Sequence, residues 1–122
     1  MEVQSYKDLV VWQKSIELVI AVYDLTKQFP SQEMYGLTAQ MRRAVVSIPS
    51  NIAEGSRRSS RKDFRNFPLN AFASGAELET QAEIVKRLEF GKDLDYTKVD
   101  SLLHEVMKML NRMIARLQTT NS

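Results

Sequence analysis

The stretch from Leu37 to Arg65 reads LTAQMRRAVVSIPSNIAEGSRRSSRKDFR. Met41, Val45, Ile48 and Ile52 recur at steps of four, three and four, the spacing of one face of an α-helix. Gly55 marks its end, and Ser60-Arg61-Lys62-Asp63 has the order of a capping box with Asp in the acidic position. Two helices joined by so short a connection lie antiparallel. The same stretch carries seven basic residues (Arg42, Arg43, Arg57, Arg58, Arg61, Lys62, Arg65) against two acidic ones (Glu54, Asp63), a local balance of +5 in a chain whose total is +2. Positive charge is therefore gathered around one helix–loop–helix corner, and the remainder of the chain is net negative.

Helical periodicity continues on both sides. Leu9, Trp12, Ile16, Val19 and Tyr23 share one face of a helix expected over 6–28, with Ser5 as its N-cap and Pro30 beyond its end. Val11, Leu18, Val22 and Leu25 form a second apolar stripe, about 130° around the same helix at 100° per residue. A bundle helix needs one such stripe, so the second set is expected at an oligomer interface. The helix expected over 60–90 turns Phe64, Phe67, Ala71, Leu78, Val85 and Leu88 inward. The last, over 97–117, keeps a four-three alternation through Val99, Leu103, Val106, Leu110, Met113 and Leu117, and a polar, frayed tail begins near residue 119. The fold class is all-α: one domain over residues 1–122, an antiparallel up-down-up-down four-helix bundle. Kinks or breaks are expected at Pro49 and Pro68, where proline removes a backbone hydrogen bond inside a helix.

Composition excludes several functions. With no cysteine there is no disulfide, thiolate metal site or thiol nucleophile. No apolar run is long enough for a membrane span and no signal peptide opens the chain, so a cytoplasmic protein is expected. A bundle di-iron site needs Glu-x-x-His on two helices, yet the one histidine, His104, has Ser101 where that glutamate would stand. The four glycines are scattered and form no phosphate loop. No catalytic residue, metal or cofactor is assigned, and the protein is read as non-enzymatic.

Two polar constellations remain. Arg42, Arg57, Arg58, Arg61, Lys62 and Arg65 are the candidate nucleic-acid contacts: closely spaced cations can neutralise successive phosphates and release counterions. RNA is the favoured ligand, and no base-reading motif accompanies them. The alternative is a protein-interaction scaffold or accessory module whose corner docks an acidic partner. Gln40, Arg43, Ser47, Asn51 and Glu54 share a face of the second helix, and Asn70, Ser74, Glu77 and Gln81 share one of the third. Antiparallel packing brings these rows together as a structural polar network, with an Arg43–Glu77 ion pair expected.

Tyr35-Gly36-Leu37-Thr38 followed by Arg43-Ala44-Val45-Val46-Ser47-Ile48-Pro49-Ser50-Asn51-Ile52-Ala53-Glu54-Gly55 closely resembles the signature of the bacterial four-helix bundle protein family. Some of its members are encoded inside intervening sequences of 23S rRNA genes. Asp8-Leu9-Val10-Val11-Trp12-Gln13, Phe29-Pro30 and Glu77-Leu78-Glu79-Thr80-Gln81 extend the likeness over most of the chain. The resemblance implies a four-helix bundle closed into a homopentamer and implies no known reaction. A more distant likeness is to the accessory protein of diversity-generating retroelements, a basic helical pentamer that works with a reverse transcriptase and nucleic acid. This chain departs from the family pattern at Pro68, Asn70 and Ala73, where the family usually has leucine, an apolar residue and glycine.

Overall fold

The computed structural model describes the backbone of residues 5–57 and 61–120 and the side chains of 5–57 and 66–117. Four helices follow one another: α1 (Val10–Thr26), α2 (Leu37–Ser56), α3 (Arg61–Arg87) and α4 (Thr97–Thr120). Among the described residues there is no strand. α1 packs against α2 and α4, and α3 packs against the same two helices, which is the square of an up-down-up-down bundle. No described helix is long and apolar enough to cross a membrane.

Ser5 does not cap α1. Its hydroxyl accepts the Lys7 backbone N–H at 3.1 Å and starts a separate 3-10 turn, Tyr6–Asp8. Leu9 is extended, at φ −73° and ψ 128°, and separates that turn from α1. α2 and α3 run unbroken through Pro49 and Pro68, so neither proline breaks its helix. Each proline forfeits one helical hydrogen bond, and both rings are buried, Pro68 completely, so apolar contact offsets the loss. Ala73 is exposed, so its methyl group meets no neighbouring helix.

The core overturns the expected division of α1. Val11, Leu18, Val22 and Leu25, expected at an oligomer interface, are 6%, 0%, 0% and 3% exposed, inside the subunit. They share one continuous apolar cluster with Met41, Val45 and Ile48 of α2 and Val106 and Leu110 of α4. The other stripe, Leu9, Trp12, Ile16, Val19 and Tyr23, is the half-buried one. Periodicity supplies the angle between two stripes; the helices packed on either side decide which turns inward. In α4 the expected seam holds, with Val99, Leu103, Val106 and Leu110 buried. In α3 Leu88 is exposed, because the helix ends at Arg87 before it.

The two ends of the bundle are built differently. One is closed by the connections 27–36 and 88–96. There Phe29 and Phe90 meet edge to face at 5.2 Å, and the Tyr96 hydroxyl donates to the Gly91 carbonyl at 2.7 Å. A Cβ on Gly91 would lie 2.2 Å from the Val85 carbonyl oxygen and 2.4 Å from Val85 Cγ1, so close approach of backbone demands glycine here. Lys86 bridges α3 to Asp100 of α4 at 2.8 Å, and Asp95 Oδ1 accepts the Thr97 N–H at 3.0 Å where α4 begins. The other end gathers the Tyr6–Asp8 turn, the end of α2, the start of α3 and the end of α4.

Candidate nucleic-acid interface

α2 ends beside the 3-10 turn, and the turn packs on α2. Arg57 is the residue after the last helical position and is exposed. Its guanidinium carbon lies 5.4 Å from the centre of the Tyr6 ring. Tyr6 in turn meets Trp12 edge to face, with ring centres 5.4 Å apart and planes at 67°. A cation thus caps an aromatic pair at the corner. Arg58 and the side chains of Arg61, Lys62 and Arg65 lie outside the described residues, although the α3 backbone begins at Arg61.

Arg42 stands apart from this corner. Fifteen residues of α2 separate it from Arg57, roughly 22 Å of helix at 1.5 Å per residue. Its Nε donates to the Thr26 hydroxyl at 2.9 Å and its guanidinium sits 4.4 Å from the Tyr23 ring centre. The Thr26 hydroxyl in turn donates to the Val22 carbonyl at 2.8 Å, so the Arg42 contact pins the end of α1 to α2. α4 brings two cations that sequence spacing alone did not reveal: Arg112 and Arg116, exposed in the half of the helix that runs toward the corner. They lie some fifty residues from the arginine-rich stretch, and only the antiparallel return of α4 brings them to that end.

The polar rows of α2 and α3 do meet, through their smallest members. The Ser47 hydroxyl donates to the Ser74 hydroxyl across the seam, and Asn51 Nδ2 donates to the Ser47 carbonyl at 2.7 Å. The expected ion pair is absent: among the described residues nothing joins Arg43 to Glu77, and both are exposed. Long charged side chains at the rim of a seam extend into water, whereas serines are short enough to sit inside it. Gln40, Glu54 and Asn70 are also exposed. Gln81 is 6% exposed, and its Oε1 has no hydrogen-bond partner among the described residues.

His104 is exposed on α4 and borders a shallow cleft with Glu79, Glu83 and Asp100. No group of metal-ligating side chains occurs among the described residues.

Comparison with known proteins gives this architecture a lineage. The model of the 23S rRNA-intervening sequence protein family matches residues 7–112. The chain is also similar to a solved structure, a protein of unknown function from the S23 ribosomal protein family of Bacteroides thetaiotaomicron. The two share 28% identity with a TM-score of 0.74, over 86% of this chain and 98% of that one. No curated protein matches the chain. The chain belongs to the 23S rRNA-intervening sequence protein family.

Proposed function

We propose that this family member is a non-enzymatic, cytoplasmic, self-assembling bundle that binds RNA through the phosphates at its α2–α3 corner. The observation that carries the reading is where the cations stand. α3 begins at Arg61, so Arg61, Lys62 and Arg65 fall in or just after its first turn. A helix N-terminus bears partial positive charge and favours acidic residues, so cations there oppose the dipole and one another. From Arg57 to Arg65 the chain carries five cations against one acidic residue, Asp63, an excess of positive charge that a polyanion would neutralise. Arg57, Arg112 and Arg116 add exposed positive charge at the same end. The family's name, which refers to an intervening sequence of 23S rRNA, suggests an rRNA-related protein.

Assembly is proposed through different residues from the core stripe. Ile20 of α1 and Val46 of α2 are 57% and 40% exposed. Ile20 is about 12 Å of helix from Trp12, so a contact there leaves the corner open. The ring of five implied by the family resemblance would repeat the corner around one axis, and several weak phosphate contacts on one particle gain avidity. In sedimentation at micromolar concentration the chain is expected to run as an oligomer, and Ile20→Asp with Val46→Asp as a monomer.

The test of RNA binding is titration with RNA at two salt concentrations. Affinity is expected to fall steeply with salt, and the double variant Arg57→Glu, Arg58→Glu to lose it. If RNA is ignored at both salts and a pull-down captures the same proteins with and without nuclease, the corner is a docking surface for an acidic protein.

A further inference from the structure

We infer that Tyr6 and Trp12 form a stacking site for an unpaired base, which makes the corner selective for single-stranded RNA over duplex. The inference rests on the reading of the corner as a phosphate-binding surface and adds what that surface distinguishes.

A cluster of cations alone binds any nucleic acid, because every strand carries phosphates. Discrimination between paired and unpaired strands needs an aromatic face, since only an unpaired base can leave its own stack. The structure supplies one beside the cations. Tyr6 is half-buried and stands on a turn fixed by local hydrogen bonds. Asp8 N–H donates to the Ser5 carbonyl at 3.0 Å and Leu9 N–H to the Tyr6 carbonyl at 3.0 Å, while Gln13 Nε2 reaches back to the Lys7 carbonyl at 2.9 Å. The edge-on contact with Trp12 holds the ring's orientation. A three-residue turn whose own residues bury nothing fully is poor at stabilising a core, yet it is tied down and aimed at α2.

Arg57 completes the site. Its guanidinium is planar and cationic, and it lies over the Tyr6 ring at 5.4 Å, where a base would stack. The side chain is exposed and sits just past the end of α2, so it can leave the ring for a phosphate as a base takes its place. Lys7, exposed on the same turn, is one residue from the ring. Base on tyrosine and phosphate on arginine is the pairing that single-strand binders use.

Trp12 is the chain's one tryptophan, so its fluorescence reports on this site alone. The experiment titrates the full chain with three probes of equal length at one moderate salt concentration: a single-stranded RNA, an RNA duplex, and an abasic strand with phosphates and no bases. The single strand is expected to bind most tightly and to quench Trp12, while the duplex and abasic strand bind more weakly without quenching. Tyr6→Leu is expected to weaken single-strand binding at least about fivefold, the low end for one lost stack, and to leave the duplex unchanged. Tyr6→Phe should restore it. Equal affinity for all three probes, with salt-sensitive binding intact, would overturn the stacking site and keep the phosphate reading. Absence of binding by every probe would overturn both. The abasic arm needs no substitution, so the test stands even if Tyr6→Leu fails to fold.

Discussion

The two ends of this bundle use their residues for opposite purposes. At the closed end, Phe29 meets Phe90, Tyr96 bonds to Gly91, and Lys86 bonds to Asp100. Every contact there joins parts of the chain to one another, and backbone passes backbone so closely that a methyl group at residue 91 has no room. At the corner end Arg57, Arg112 and Arg116 are exposed, with Arg57 beside the Tyr6 ring, and the basic run Arg57–Arg65 straddles the start of α3. The lesson is a difference in use: at one end the contacts tie connection to connection, while the other presents exposed cations beside an aromatic pair.

The largest effect is expected at the closed end. Gly91→Ala must displace the Val85 carbonyl or the Tyr96 hydroxyl, at about 1–3 kcal/mol, a fall of several degrees in Tm. Thermal melting followed by circular dichroism checks it; an unchanged Tm would mean that this end is looser than described. Tyr96→Phe comes next, at about 1 kcal/mol for the buried hydrogen bond. It also alters the pH profile. Burial, with the Asp100 charge adding to it, raises the Tyr96 hydroxyl above its ordinary value near 10. A group raised in the folded state gives stability that is fully present below its unfolded value and is lost as pH climbs through its folded one. The wild type should therefore lose stability above about pH 10 through this residue, and Tyr96→Phe should lack that limb.

Asp95 makes a smaller contribution of the opposite sign. The Thr97 backbone N–H, and then the Thr97 hydroxyl, hold its carboxyl below the ordinary 3.8. Its support for α4 is present above that value and is lost as pH falls through the depressed one. Asp95→Asn should slightly lower Tm at neutral pH and flatten the acid limb. The smallest effect on folding is expected at the corner: Arg57→Glu with Arg58→Glu should shift stability by no more than about 0.5 kcal/mol. A large loss there would erase the contrast between the two ends.

The fold was largely legible in the sequence, because helical spacing over four long segments leaves little room for another class. α4 was the clearest, since its four-three alternation is the pattern of a single buried seam. α1 was not, because it carries two apolar stripes and local spacing is silent about which one its neighbours cover. The α2–α3 seam was legible in register but not in contact: Ser47 and Ser74 pair inside it, while Arg43 and Glu77, equally well spaced, reach water instead. At the candidate site, the run Arg57–Arg65 announced itself through local charge. Tyr6 did not, because a three-residue 3-10 turn is too short for periodicity to show. Arg112 and Arg116 join the corner end only through the return of the chain.

The central claim is that the corner binds RNA and does not support the fold. It is tested most directly by measuring RNA affinity against salt, and Tm, for the wild type and for Arg57→Glu, Arg58→Glu in one buffer. The account predicts a steep salt dependence in the wild type, loss of RNA binding in the variant, and nearly equal Tm values. An RNA affinity that is the same in both proteins, or a variant that loses binding only because it unfolds, would contradict it.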